Sequence, residues 1–307
     1  MKDLKKNCRA AVIQCAPVLF DKEASARRYA ELIGEAAKEK PDLIVLPELI
    51  VPGYPYGMTF GFTVGSRKEP GRRDWLRYAK NSVLVPGPET KLLGEAARSA
   101  RAWVSAGISE RDPVNGTLYN SNVIFAPDGR LAALHRKLKP TGAERLVWGD
   151  ADRNFFPVVD TPWGPVGCLI CWEAYMPLAR AALYQKGVTI LISCNTNDNP
   201  EWQATVRHIA LEGRCYVINC DQFFRKSDYP SDLEEREAVQ ALPETVCRGG
   251  SCVADPFGHY AAEPVWDREA ILYADLDLER VAASRMEFDP CGHYARPDVL
   301  RLEVNDK

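Results

Sequence analysis

Short β-forming runs alternate with amphipathic helical segments along most of this sequence, and that alternation limits the folds available to it. Residues 10–15 form an apolar run typical of a buried strand. Asp21 can cap a helix that continues to about Lys40, where Pro41 ends the helical pattern before a second apolar run begins at Leu43. Helices and strands in alternation predict layers of helix over sheet, so we expect an α/β fold.

The middle of the chain adds antiparallel character to this pattern. Two apolar runs flank Asp128-Gly129, a dipeptide that favours a tight hairpin turn, and a second hairpin is predicted around residues 162–164. Asn199 and Pro200 predict the start of a later helix, and Gly213 predicts its end. Further helices are predicted over residues 89–99 and 176–186 and after Asp277, and further strands over residues 103–108, 188–192, 216–219, 252–254 and 271–274.

A single mixed domain over residues 1–307 fits this chain better than two domains, because neither an internal repeat nor a low-complexity linker interrupts it. Residues 225–246 are the least regular stretch, with many charged residues and prolines at 230 and 243. A long irregular segment of this kind is either a functional lid or contact loop or a solvated loop, and the sequence is compatible with both.

Charge and hydropathy argue against several classes of partner. The 39 basic and 42 acidic residues give a net charge of −3, without the basic excess typical of proteins that bind nucleic acid or anionic membranes. No run approaches the roughly 20 apolar residues of a membrane span, and the apolar run after the basic segment Met1–Lys6 is too short for a secretory signal. We therefore expect a cytoplasmic protein whose ten cysteines stay reduced, most of them as small buried apolar groups.

Glu48 is the first residue that could carry chemistry. It follows the apolar run 43–46 and Pro47, and a segment rich in proline and glycine comes next. A carboxylate at the end of a buried strand tends to lie in a partly desolvated cleft, where its pKa rises toward the range of a general base. The alternative is a surface glutamate at a strand end.

Lys137 belongs to a cluster of basic residues, 135–139, that could equally be a solvated or phosphate-binding patch. Alternate residues of a strand share a face, so Lys137 and His135 are expected to point away from Arg136. A lysine on a face that borders a cleft can stabilise negative charge as it develops.

Cys171 ends an apolar strand just before a predicted helix. Backbone N–H groups at such a turn lower the pKa of a thiol and can hold an oxyanion, so we expect a nucleophile here, and the four histidines leave a Cys–His pair open. Cys168 and Cys171 also have a C-x-x-C spacing. No second such pair and no H-x-x-x-H accompanies it, and residues three apart on a strand point to opposite faces, so we expect no bound metal.

Taken together, these segments resemble the nitrilase superfamily of carbon–nitrogen hydrolases, and most closely its nitrilase branch. Short motifs in the family's order cover essentially the whole chain: LPELIVPGYP (46–55), GTLY (116–119), HRKLKPT (135–141), ERLVWGD (144–150), CWEAYMPLAR (171–180), HIALEG (208–213) and GHYARPDV (292–299). Two positions depart from the family pattern, since Ala174 stands where Asn is common and Ala151 where Gly is usual. Both bear on the shape of the pocket rather than on the catalytic groups.

The resemblance implies a four-layer α-β-β-α sandwich that associates through its helices into dimers or larger spirals, with the C-terminal tail from about residue 285 in contacts between subunits. It implies catalysis by Glu48, Lys137 and Cys171, with Glu144 as a second glutamate. The residues it places in the lining of a substrate pocket are Tyr54, Trp148, Trp172 and Thr196. The implied substrates are a small organic nitrile and water, the products are a carboxylic acid and ammonia, and no metal or organic cofactor is required.

Three other functions are compatible with the same residues. An amidase or carbamoylase of the same superfamily would use them on a C–N single bond, although the CWE and GHYARPDV motifs favour the nitrilase branch. A cyanide-degrading enzyme is a narrower alternative within that branch. A scaffold or binding protein that kept the fold without turnover is the alternative from a different class, and the intact catalytic positions argue against it.

Overall fold

Two β-sheets form the centre of the molecule. The computed structural model describes residues 4–197 and 199–305, so Met1–Asp3, the first half of the basic N-terminal segment, lie outside the described residues. Numbered along the chain, the strands are β1 (Asn7–Gln14), β2 (Leu43–Val45), β3 (Phe62–Thr63), β4 (Ser66–Arg67), β5 (Trp103–Arg111), β6 (Leu118–Phe125), β7 (Leu131–Arg136), β8 (Val158–Thr161), β9 (Gly164–Ile170), β10 (Ile190–Asn195), β11 (Tyr216–Asp221), β12 (Phe223–Arg225), β13 (Thr245–Ala254), β14 (Tyr260–Trp266) and β15 (Ala270–Asp277).

Each sheet has parallel strands in its centre and antiparallel strands toward its edges. The first sheet has the order β15-β1-β2-β5-β6-β7, with β1, β2 and β5 parallel. The second has the order β12-β13-β11-β10-β9-β8, with β9, β10 and β11 parallel and β14 paired to β13. Because parallel strands end at the same edge of a sheet, the loops that follow them are brought together.

Helices α1 (Lys22–Ala36) and α3 (Pro88–Ala100) cover the outer face of the first sheet, and α4 (Pro177–Gln185) and α5 (Trp202–Gly213) cover that of the second. Helices α2 (Glu69–Asn81), α6 (Arg236–Gln240) and α7 (Glu279–Arg285) lie outside these two outer layers. Within the described ranges, every helix is too short or too polar to span a lipid bilayer.

Three apolar layers hold the sheets and helices together. The layer between the sheets contains Val12 of β1 and Ile192 of β10. A second layer joins Ile13 of β1 to Ile33 of α1, and a third packs Leu183 of α4 on the outer face of the second sheet. Neighbouring residues of β1 thus enter different layers, as strand geometry requires. The molecule is an α-β-β-α sandwich, which confirms the expected fold.

Several local predictions are confirmed by the structure. Asp21 caps α1, and its side chain accepts a hydrogen bond of 2.9 Å from Ala24 N. Asp128 and Gly129 lie in the turn between the antiparallel strands β6 and β7, as the Asp-Gly signal indicated. The second hairpin joins β8 and β9.

Helix α5 differs from its prediction at both ends. It begins at Trp202, because Asn199 shapes the preceding turn and accepts a hydrogen bond of 2.9 Å from Trp202 N through its carbonyl. Gly213 lies inside the helix, and the left-handed residue that ends it is Arg214, with a φ of 48°. Gly213 is required for a different reason, since a Cβ there would lie 2.3 Å from the ring of Tyr184.

Helix α2 and strand β14 were not predicted. Helix α2 begins with Glu69-Pro70-Gly71, which has the composition of a turn, and β14 contains Pro264, which is unusual inside a strand. The segment 225–246 packs against α2: Leu233 is buried, and Asp74 accepts hydrogen bonds of 3.1 Å from Glu234 N. This segment is therefore an ordered part of the molecule rather than a freely solvated loop.

Candidate active site

The residues singled out in the sequence lie where strands of both sheets end. Glu48 lies three residues beyond β2, and Lys137 directly follows β7 in the first sheet. In the second sheet, Cys171 directly follows β9 and Thr196 directly follows β10. Because the two sheets pack face to face, these chain segments meet at one place.

Glu48 is completely buried, and its two carboxylate oxygens have different environments. Oε1 accepts hydrogen bonds from Asn120 Nδ2 at 2.7 Å and from Lys137 Nζ at 3.2 Å. Oε2 is buried and has no hydrogen-bond partner among the described residues. Burial raises the pKa of Glu48, and the nearby Glu144 carboxylate adds to this, although Lys137 and Asn120 act in the opposite direction. One oxygen is therefore anchored and the other is available to accept a proton.

Lys137 connects Glu48 to Glu144. Its Nζ donates a hydrogen bond of 2.8 Å to Glu144 Oε2, which also accepts one of 2.8 Å from Thr141 N. The hydroxyl group of Tyr54 donates a hydrogen bond of 2.9 Å to Glu144 Oε1. Burial alone would lower the pKa of Lys137, but the neighbouring acidic groups of Glu48, Cys171 and Glu144 raise it above its usual value. The lysine is therefore a fixed ammonium ion in a buried position.

Cys171 occupies a sharp turn between β9 and a short 3-10 helix, Cys171–Tyr175. Its φ is 52°, in the left-handed region that a residue with a side chain seldom adopts. Such strained positions cluster at functional sites because the surrounding structure must hold them in place. The side chain is only 5% exposed.

The pKa of Cys171 differs from the sequence expectation. Backbone N–H groups at the turn were expected to lower it, but burial raises it well above its usual value, and the Glu48 carboxylate raises it further. Lys137 opposes this effect without reversing it. The expectation of a lowered pKa was wrong because it considered the turn alone and not the burial of the sulfur. A neutral thiol of this kind needs a base before it can attack.

A cavity of ≈ 240 Å³ opens beside the sulfur. Its lining consists of Tyr54, Tyr56, Gly57, Thr141, Glu144, Cys171, Trp172, Thr196 and Asn197. The cavity therefore includes Cys171, Glu144 and three of the residues expected to line a pocket, and Glu48 and Lys137 are linked to it through Glu144. The side chain of Trp172 is 50% exposed, whereas Thr196 is buried and its Oγ1 has no hydrogen-bond partner within the described ranges.

The structure places Trp148 behind this cavity. It borders a neighbouring cavity of ≈ 170 Å³ that also includes Tyr54 and Glu144. Its ring lies 5.9 Å from the ring of Tyr54, between centroids, and its Nε1 donates a hydrogen bond of 3.0 Å to Ser109 Oγ. Trp148 thus supports Tyr54, which in turn holds Glu144.

Two residues that hold Glu48 escaped the sequence analysis. Asn120 donates to the Glu48 carboxylate, and its carbonyl accepts a hydrogen bond of 2.7 Å from Lys137 N. Gln222 donates a hydrogen bond to the carbonyl of Glu48. A signal for Asn120 was present: it opens a run of three polar residues, 120–122, inside a strand that is buried along its whole length. Buried polar groups of this kind require partners.

The cysteines form neither a disulfide nor a metal cluster in the part of the chain that the structure describes. All ten are free thiols. The sulfur of Cys168 lies 3.7 Å from that of Cys194, so the neighbour of Cys168 is Cys194 and not Cys171, its partner in the C-x-x-C spacing. Among residues 4–197 and 199–305, no group of three or more His, Cys, Asp or Glu side chains could hold a metal ion. The chemistry available at the cavity is that of a thiol, two carboxylates and an ammonium ion.

Comparison with known proteins relates nearly the whole chain to one family. The sequence model of carbon–nitrogen hydrolases matches residues 9–286. An aliphatic nitrilase of Sinorhizobium fredii (strain HH103) is 44% identical over 300 residues, which cover 97% of this chain and 96% of the relative. A bifunctional nitrilase/nitrile hydratase, NIT4A of Lupinus angustifolius, is 40% identical over 302 residues, which cover 97% of this chain and 86% of the relative.

A solved structure supports the same fold. The crystal structure of Saccharomyces cerevisiae Nit3, a member of branch 10 of the nitrilase superfamily, matches 96% of this chain and 99% of its own with a TM-score of 0.75. At 24% sequence identity, this likeness concerns the fold alone.

Proposed function

The chain belongs to the carbon–nitrogen hydrolase family, and from that premise we propose that Cys171 is the nucleophile with which it hydrolyses nitriles. The protein is a nitrilase that acts on the carbon–nitrogen bond of a small organic nitrile with water as the second substrate. The main observation that supports this function is the 44% identity to an aliphatic nitrilase across 97% of the chain. The geometry of the cavity supports the roles that we propose for Glu48, Lys137, Glu144 and Cys171.

In the first step, the sulfur of Cys171 bonds to the nitrile carbon. Glu48 Oε2 takes the thiol proton during the attack, since its partner oxygen is held by Asn120 and Lys137 and Oε2 is free to accept. One electron pair of the carbon–nitrogen triple bond moves to nitrogen. Lys137 and the backbone N–H of Trp172 stabilise that negative charge until the proton on Glu48 passes to nitrogen, which leaves a thioimidate.

In the second step, water adds to the thioimidate carbon. Glu48 removes a proton from this water, Glu144 orients it, and the proton passes to nitrogen. Glu48 then transfers the proton of the new hydroxyl group to nitrogen, the carbon–nitrogen bond breaks, and ammonia leaves a thioester on Cys171. A second water attacks the same carbon, the carbon–sulfur bond breaks, and the carboxylic acid is released while the proton returns to sulfur.

The raised pKa of Glu48 suits it to this exchange. A carboxylate of ordinary pKa is too weak a base to draw a proton from a buried thiol, whereas burial makes Glu48 more basic. Lys137 stays charged throughout because three acidic groups surround it. The attack requires Glu48 as the carboxylate and Lys137 as the ammonium ion.

We further propose that the protein is a cytoplasmic homo-oligomer with a single domain over residues 1–307. Free buried thiols, including the close pair Cys168 and Cys194, favour a reducing compartment. Leu178 of α4 and Tyr294 in the C-terminal tail are large apolar residues with exposed side chains, which favours an interface that includes the tail from about residue 285. A sedimentation measurement of the purified protein tests the oligomer, and a monomer at all concentrations would contradict it.

A panel of nitriles with ammonia detection tests the proposed function. Wild type and Cys171→Ala are assayed in parallel on aliphatic, aromatic and arylacetonitrile substrates, and we expect ammonia from wild type only, with a loss of about 10⁴-fold or more in the variant. Equal rates for the two proteins would exclude Cys171 as the nucleophile. The matched amides and cyanide are assayed beside the nitriles, because turnover of only one of these would instead identify an amidase or a cyanide-degrading enzyme.

A further inference from the structure

A buried carboxylate that the mechanism does not use links the turns of the nucleophile and the lysine. Glu173 Oε2 accepts a hydrogen bond of 2.8 Å from Ile170 N, and its Oε1 accepts one of 2.9 Å from Leu138 N. His135 Nε2 lies 2.8 Å from Glu173 Oε2. Both side chains of this pair are buried.

These hydrogen-bond donors are the chain neighbours of the nucleophile and of the lysine. Ile170 directly precedes Cys171, and Leu138 directly follows Lys137. One carboxylate therefore holds the backbone just before the nucleophile and just after the lysine, at the ends of β9 and β7, which belong to different sheets. The contact with His135 adds a third attachment, two residues before the lysine.

We propose that His135 and Glu173 form a positioning pair that sets the sulfur of Cys171 relative to the ammonium group of Lys137. This inference rests on the proposed function, since it assigns the pair to the same reaction. Cys171 has a strained φ of 52°, which persists only if neighbouring contacts hold it. Glu173 supplies such a contact on the residue that precedes Cys171. It thereby fixes the position of the turn at Cys171 relative to the turn at Lys137, across the cleft between the sheets.

The geometry requires a carboxylate rather than an amide at position 173. Both oxygens accept hydrogen bonds from backbone N–H groups, one from Ile170 and one from Leu138. A glutamine has only one acceptor oxygen, so in either orientation its NH₂ group would face an N–H donor. Glu173→Gln therefore keeps the size of the side chain and breaks one of the two backbone attachments.

The ring of His135 makes one polar and one apolar contact. Its Nε2 faces Glu173, whereas its Nδ1 is buried and has no hydrogen-bond partner in the described part of the chain. The ring also packs on Phe156, with 5.8 Å between ring centroids. A polar contact through Nε2 and an apolar contact through the ring can therefore be separated by substitution.

Steady-state kinetics on a nitrile that wild type hydrolyses test the role of Glu173. We expect Glu173→Gln to lower kcat by about 10–100-fold with KM changed less than about threefold, because misplacing reacting groups by about 1 Å costs about this much. Glu31→Gln, an exposed position on α1, is the matched control and should keep the wild-type kcat. Assays are run well below the unfolding midpoint of each variant, measured by circular dichroism.

A pair of substitutions at His135 separates positioning from packing. His135→Gln retains an N–H that can donate to Glu173 and should keep kcat within about threefold of wild type, whereas His135→Phe retains the ring and should lose as much as Glu173→Gln. If only packing on Phe156 mattered, the order of the two variants would be reversed. This comparison decides the matter even if Glu173→Gln fails to fold.

The outcomes distinguish this inference from the proposed function. Nitrile turnover by wild type together with full kcat in Glu173→Gln, or with His135→Phe as active as His135→Gln, would overturn the positioning role and leave the nitrilase function intact. A wild type that releases no ammonia from any nitrile would overturn the function, and the positioning role with it.

Discussion

Gly107 lies directly against the backbone of Glu48. A Cβ on Gly107 would come within 2.6 Å of Glu48 Cα and 2.5 Å of the carbonyl oxygen of Pro47. Gly107 N donates a hydrogen bond of 3.1 Å to that oxygen, and Ile50 N donates one of 2.8 Å to the carbonyl of Gly107. The central strand β5 thus guides the turn that carries the base, and it can do so only because this position has no side chain.

Gly107→Ala is expected to displace Glu48 and to reduce activity. Because the added methyl group meets backbone rather than a flexible side chain, the turn must move, and we expect kcat to fall by about 100-fold. Overpacking of a buried strand should also lower the free energy of unfolding by about 1–3 kcal/mol. Steady-state kinetics and urea-induced unfolding measure the two effects.

Gly34→Ala is the control for this substitution. Gly34 lies in α1, and a Cβ there would meet no atom within 4 Å. Alanine favours a helix over glycine by about 1 kcal/mol, so this variant should be slightly more stable and fully active. Full activity in Gly107→Ala would show that the turn tolerates displacement, and the proposed dependence of Glu48 on β5 would be wrong.

Lys137→Met should remove most of the activity while keeping the length of the side chain. The ammonium group stabilises negative charge on nitrogen in the proposed attack and also opposes the rise in the pKa of Cys171. Loss of such a donor costs about 10²–10³-fold in kcat. Lys139→Met, two residues away at a position that is 50% exposed and paired with the exposed Asp150, should stay within twofold of wild type. Equal losses in the two variants would indicate a general effect of charge rather than a catalytic lysine.

Asn120→Ala should shift the pH dependence of activity. Glu48 must be ionised to accept a proton, so kcat/KM should rise with pH through the pKa of Glu48, which burial places above the usual 4.5 of a glutamate. The hydrogen bond from Asn120 stabilises the ionised form and lowers that pKa. Without it the pKa rises further, and the acidic limb of the profile moves to higher pH.

Asn122→Ala is the matched control for this pH experiment. Asn122 is buried two residues along the same strand, but its side chain contacts Ser105 and Cys194 rather than Glu48. Its acidic limb should coincide with that of wild type. A limb that moves to lower pH in Asn120→Ala would contradict the proposed role of Glu48 as the base.

Local sequence patterns predicted helices layered over sheets and drew attention to Glu48, Lys137 and Cys171, whereas the four-layer sandwich was implied by the family resemblance. Strands are apolar runs of fixed periodicity, and each of these side chains follows such a run, so the end of a strand was visible in the sequence. The shared motif order then implied that the three residues act together. Helix α2 could not be found in this way, because its first turn contains proline and glycine and its buried face includes Asp74.

Contacts between distant parts of the chain account for what the sequence analysis missed. Asn120 lies 72 residues from Glu48 in sequence, and Gln222 lies 174 residues from it, so no local pattern links them. The same reason explains the wrong sign for the pKa of Cys171. The turn is local, but the burial that dominates the pKa results from the packing of one sheet on the other.

Thr196→Val should make the protein more stable and less active. Thr196 lines the cavity beside Cys171, is 6% exposed, and has an Oγ1 without a hydrogen-bond partner among the residues described. Removing this buried hydroxyl should raise the free energy of unfolding by about 1 kcal/mol, and loss of its contact with substrate should lower kcat/KM by about 10-fold.

Thr189→Val is the matched control, because Thr189 is 5% exposed and its Oγ1 donates a hydrogen bond of 2.9 Å to the carbonyl of Trp163. Loss of that hydrogen bond should lower the free energy of unfolding by about 1 kcal/mol and leave kcat/KM unchanged. Urea-induced unfolding measures the two changes in stability. Opposite signs would distinguish a hydroxyl that binds substrate from one that stabilises the folded protein. A Thr196→Val variant that is less stable and fully active would show that the hydroxyl serves the fold instead.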